Sequence, residues 1–181
     1  MSSFSKPSTW TDKFLQLFNE SVERYQAGAQ KVDTLAAGWD SAFLEELGLT
    51  NQVLFDFVED HVRKEGEPDL NTILLLVGMR RQYFHFRQMG LKSTRVVQPS
   101  ELPPKEEVTG GYRWLSRITA KAQAFLRGEL SDDTMYGCSG DHKFCRENNI
   151  HLFDFLCLVE ATEGNLKQIV EAFDSGKVPH P

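Results

Sequence analysis

Leu70-Asn71-Thr72-Ile73-Leu74-Leu75-Leu76-Val77-Gly78-Met79-Arg80-Arg81-Gln82-Tyr83-Phe84-His85-Phe86-Arg87-Gln88-Met89 is the run that decides the fold. Gly66-Glu67-Pro68-Asp69 ahead of it reads as a turn and helix start, since proline suits a first helical turn, and Gly90 closes it. The spacing predicts one long helix over 70–89. Its most apolar part, Ile73 to Val77, is far too short to span a bilayer. It belongs to a protein core.

The same punctuation recurs on both sides. Ser8 or Thr9 can cap a helix to about Ala27, with Phe14, Leu17, Phe18, Ser21, Val22 and Tyr25 on one face and Gly28 as its stop. Asp40 caps a short helix over 41–47. Thr50 caps another to about Lys64. Residues 91–108, with Pro99, Pro103 and Pro104, read as a connector. After Gly110 and Gly111 a helix carries Trp114, Leu115, Ile118, Ala122 and Phe125 to Gly128; three more follow, over about 141–148, 151–161 and 164–173. No alternating strand pattern stands out. The expectation is all-α: a compact bundle of about seven or eight helices. It has an N-terminal helical region (1–90), a connector (91–108) and a C-terminal helical region (109–181), two coupled halves in one compact domain.

Between the helices lies Tyr136-Gly137-Cys138-Ser139-Gly140-Asp141-His142-Lys143-Phe144-Cys145, the densest collection of reactive side chains in the chain. Gly137 and Gly140 let backbone approach a ligand, and the loop opens a helix whose first N–H groups attract anions. Arg113, Arg117 and Lys121 recur every four residues beside Trp114. Arg117 and Lys121, with the loop glycines, are therefore the candidate site for a small anionic ligand. Cys138 is a candidate nucleophile, with His142 as its base and Asp141 orienting that base. Cys138, His142 and Cys145 are candidate metal ligands, with His151 as a fourth, although paired Cys-x-x-Cys spacing is absent. The plainer reading makes the loop structural, with Asp141 as a helix N-cap.

These residues also carry a resemblance. Trp114-Leu115-x-Arg117-Ile118-x-x-Lys121-Ala122, Leu126-Arg127-Gly128-Glu129-Leu130, Met135-Tyr136-Gly137-Cys138-x-Gly140-Asp141 and Phe153-x-Phe155-Leu156 resemble a bacterial family known as domain of unknown function 5069. The match covers about residues 105–172, and residues 10–90 look like the N-terminal region of its longer members. The chain departs from the family pattern at Ser139, His142 and Cys145, where the family tends to have glycine, a basic residue and an aliphatic one. The resemblance implies a bacterial protein but no activity, because the family is named for lacking one.

Composition narrows the classes. With 26 acidic and 20 basic side chains the net charge is −6, and neither half is basic. That disfavours nucleic acid and anionic membrane surfaces as partners. Three cysteines form no compact disulfide pattern, and residues 1–9 are too polar for a secretory signal, which points to a soluble cytoplasmic protein. Thirteen Phe and three Trp exceed a minimal helical core and suggest a protein partner or a homodimer surface. No nucleotide-binding, zinc-protease or serine-hydrolase motif is present, and no cofactor is indicated. The expected function is a non-catalytic binding or interaction module with an anionic-ligand site. The alternative is a small cysteine-dependent enzyme or redox-sensitive protein using Cys138 and Asp141.

Overall fold

Thr9 starts the first helix by accepting a hydrogen bond from Asp12 N (3.2 Å), while the Asp12 carboxylate takes the Thr9 N–H at 2.8 Å. This reciprocal cap satisfies two of the donors that every helix start leaves free. The computed structural model describes residues 9–64 and 66–179; Ser8, the alternative cap, lies outside the described residues. The helix, α1 (Trp10–Gln26), turns Phe14, Phe18, Ser21 and Tyr25 inward. Two short helices follow, α2 (Val32–Ala36) and α3 (Ser41–Glu46), the second capped by Asp40 as its sequence predicts. Trp39 between them donates its indole N–H to Ser21 Oγ at 2.8 Å, which pins the link to α1. Thr50 caps α4 (Asn51–Arg63), whose Leu54, Phe55, Phe57 and Val58 pack against α1.

Next comes α5 (Leu70–Gln82), capped by Asp69 through Asn71 N and Thr72 N. The helix expected to run unbroken to Met89 instead widens into a π-helical turn over Tyr83–Arg87, closed by Gln88 N–H to Tyr83 O at 3.0 Å. The extra residue per turn has a consequence for packing. It brings Gln88 back to Arg80, a residue only 3% exposed. Arg80 donates to Gln88 Oε1 (2.7 Å) and Leu126 O (3.0 Å), while Gln88 Nε2 donates to Arg127 O at 3.0 Å. Two side chains of one helix thus satisfy the open carbonyls at the end of another. Burial pushes the Arg80 guanidinium down to about 10.

The 91–108 connector is packed rather than loose. Val97 N–H donates to Glu129 O at 2.7 Å, and Pro99–Glu101 forms a 3₁₀ turn. A two-stranded antiparallel hairpin that the sequence does not advertise follows, β1 (Val108–Thr109) with β2 (Tyr112–Arg113). Then come α6 (Leu115–Arg127), α7 (Ser139–Glu147), α8 (Leu152–Ala161) and α9 (Leu166–Asp174). The fold is therefore all-α apart from that hairpin, with nine α-helices among the described residues.

One contiguous cluster of buried side chains draws on helices from both ends of the chain. Phe125 of α6 joins them, its ring 6.4 Å from Phe57 and stacked at 5.5 Å on Tyr136. Burying a side chain of this size stabilises by about 1.5–3 kcal/mol, so this junction holds the loop after α6 as firmly as it holds helices. No helix among the described residues is long and apolar enough to cross a membrane.

Candidate functional site

Tyr136 anchors the glycine loop. Its ring is buried and its hydroxyl donates to Leu152 O at 2.9 Å. Gly137 then turns at φ +95°, a conformation that β-carbon-bearing residues avoid. Cys138 occupies the N-cap position of α7, which places Asp141 at the third helical residue and not at the cap expected of it. From there its carboxylate reaches back into the loop. Oδ2 accepts from Gly137 N (2.9 Å) and Cys138 N (3.3 Å).

Two further donors come from α6. Trp114 sits at its N-cap with φ +76°, strained for so large a residue. That backbone aims its indole across the loop, where the N–H donates to Asp141 Oδ1 at 2.9 Å. The ring lies so close over Gly140 that a β-carbon there has no room. Lys121 ion-pairs with Asp141 Oδ2 in the interior, its side chain 4% exposed and that of Asp141 0%. Lys121 Nζ also donates to Cys138 Sγ at 3.1 Å.

The donors that the sequence marks for an external anion therefore meet an anion of the chain itself. Gly137 N and Lys121 both serve Asp141, and Gly140 is glycine because Trp114 covers it. Arg117 lies elsewhere: its guanidinium stacks 5.7 Å from the Trp114 ring and donates to Pro103 O at 2.7 Å. Arg113 belongs to β2, so the four-residue stripe is broken at Trp114.

The proposed catalytic chain is not assembled. His142 Nε2 is buried without a hydrogen-bond partner among the described residues, so it makes no bond to Cys138 or Asp141. Burial, with help from Lys64, holds the His142 imidazole below its usual value, so it is neutral near pH 7. Cys145 is buried and its thiol is pushed up to about 12. Among the described residues no group of three or more His, Cys, Asp or Glu side chains is placed to hold a metal ion, so Cys138, His142 and Cys145 do not converge. All three cysteines are free.

A neighbouring face of α7 borders a cleft of about 370 Å³, bounded by the 67–72 turn and residues 149–152. His142, Arg146, Glu67 and Asp69 line it. His151 is fixed at its edge. Its Nδ1 accepts from Phe153 N at 3.3 Å, which puts the proton on Nε2, and Nε2 donates to Thr72 Oγ1 at 3.1 Å. Thr72 in turn donates its hydroxyl hydrogen bond to Asp69 Oδ2 at 2.6 Å. The sequence contains one signal for this cleft, the four-residue spacing of His142 and Arg146 on one helix. The facing wall, Glu67 to Thr72, comes from a segment about seventy residues away, which spacing does not connect.

Comparison with models of known families, with curated proteins and with solved structures finds no match to the chain.

Proposed function

We infer that this chain is a non-catalytic binding module. One observation carries the reading: the loop richest in chemical groups uses its buried carboxylate on four donors of its own chain. A catalytic carboxylate needs capacity left for substrate or for a base, and that of Asp141 is consumed in positioning the loop. Ligand binding then falls to the cleft beside α7, which is roomy enough for a small molecule. This reading moves the ligand site from Arg117, Lys121 and the glycine loop to the neighbouring cleft beside α7. We place the protein in the bacterial cytoplasm, a reading supported by its three free thiols and by the resemblance of residues 105–172 to domain of unknown function 5069.

The partner-binding form of the reading rests on Phe86, Met89 and Leu91. They are 72%, 75% and 72% exposed at the end of the π-helical turn. A thiol-dependent function at Cys138 is favoured by one contact, Lys121 Nζ to Cys138 Sγ.

Comparing the native with the denatured mass of the purified protein tests these readings together. A non-covalent adduct of small-molecule mass, or a dimer, is expected of a binding module. A bare monomer whose Cys138 reacts rapidly with iodoacetamide at neutral pH would favour the thiol instead.

A further inference from the structure

The cleft beside α7 presents opposite charges that do not neutralise each other. Glu67 and Arg146 both line it, and neither makes an ion pair within 4.0 Å among the described residues. His142 lines the same cleft, its Nε2 buried and without a partner among the described residues. The floor is apolar, formed by Pro68, Ile150 and Leu152, all buried. The other carboxylate, Asp69, is turned toward Asn71 N, Thr72 N and the Thr72 hydroxyl, which hold it below its usual range. It has less capacity for a ligand than Glu67.

We propose that this cleft binds a small zwitterion, an α-amino acid with a compact apolar side chain. Its carboxylate meets Arg146, which can hold two oxygens at once. Its ammonium meets Glu67, beside the His142 imidazole. Its side chain covers Pro68, Ile150 and Leu152. A neutral imidazole suits this role, because an imidazolium would repel the ammonium. A cleft of about 370 Å³ lies at the small end of ligand sites, which favours a single amino acid over a longer peptide. The proposal rests on the reading that the chain binds its ligand without transforming it.

Isothermal titration with L-leucine and two analogues tests the class. Isocaproate lacks the amino group of leucine, and isoamylamine lacks its carboxylate. Leucine is expected to bind with a dissociation constant of about 10 μM or tighter, and each analogue about tenfold more weakly. Arg146→Gln should cost leucine about tenfold and leave isoamylamine unchanged, whereas Glu67→Gln should do so for leucine and leave isocaproate unchanged. Both side chains are exposed, so the variants should melt with the parent. On adding leucine the His142 Nε2 resonance should shift in a nitrogen-detected spectrum of labelled protein. Equal binding of leucine and isocaproate would overturn the proposal, and so would absence of both heat and a His142 shift up to about 20 mM. If leucine fails while native mass spectra show another adduct that Arg146→Gln removes, the ligand class is wrong and the binding reading stands. If no adduct appears either, both fall.

Discussion

Replacing Asp141 with alanine removes the acceptor for four donors at once. The heaviest loss falls on Lys121, whose ammonium is left in an interior site with Cys138 Sγ as its remaining partner. Breaking a buried ion pair from one side costs about 3–5 kcal/mol, because a charge is left without compensation. The N–H groups of Gly137 and Cys138 and the Trp114 indole lose their acceptor as well. These losses overlap, so about 4 kcal/mol is the figure to test, a large share of an ordinary domain's stability of about 5–15 kcal/mol. For a chain of this size it corresponds to a fall of about 8–16 °C in melting temperature. Urea unfolding followed by circular dichroism measures it, and a cycle with Lys121→Met separates the pair from the caps. Removing both charges relieves the uncompensated lysine, so the double variant should recover about 2–3 kcal/mol relative to the sum of the singles. A cost near 1 kcal/mol for Asp141→Ala, as a plain N-cap would give, would refute the reasoning. Strict additivity with Lys121→Met would refute it too.

Three further outcomes follow from the same geometry. Gly140→Ala forces the Trp114 indole off the loop and should cost at least about 1–3 kcal/mol, while Gly111→Ala, where a β-carbon meets nothing, should show only the smaller cost of its positive φ; thermal melts compare them. Gly128→Ala sets a β-carbon 2.5 Å from Arg80 Nη2 at φ +68° and should cost more than about 1 kcal/mol, with loss of amide-exchange protection at the end of α6. Asp56 supplies a pH test. Burial, reinforced by Asp60 and Glu59, raises its carboxyl from 3.8 to about 7 despite a 2.7 Å hydrogen bond from Gln52. The folded state then keeps a proton that the unfolded chain releases, so stability falls as pH rises from about 4 to 7 and then levels. Asp56→Asn should flatten that slope and stabilise the protein at pH 8, by at most about 4 kcal/mol; an unchanged slope would contradict the assignment.

The helix starts were legible because their chemistry is local. Thr9, Asp40 and Thr50 each cap the helix that their position announces, using a side-chain oxygen two or three residues away. The π-helical turn was hidden because Tyr83–Arg87 suits an ordinary helix equally well. What accompanies the wider turn is a distant contact: Gln88, just beyond it, accepts from Arg80 and donates to Arg127 O at the end of α6. Lys121 misled for a related reason. Spaced four residues from Arg117 it looks like one of an exposed basic stripe, but it faces inward next to Ala122, with Ile118 and Phe125. Asp141 was marked as important and given the wrong position, because Cys138 is an unusual cap and displaces the acid to the third residue. The cleft was the least legible part, since its two charged walls lie far apart in the chain.

The most direct test of the central claim is the native mass of three forms purified side by side from cells: the parent, Cys138→Ser and Arg146→Gln. The account predicts a small non-covalent adduct on the parent and on Cys138→Ser, absent from Arg146→Gln. An adduct that disappears with Cys138→Ser and survives Arg146→Gln would place the function at the thiol and contradict the account. Three bare masses would contradict it equally.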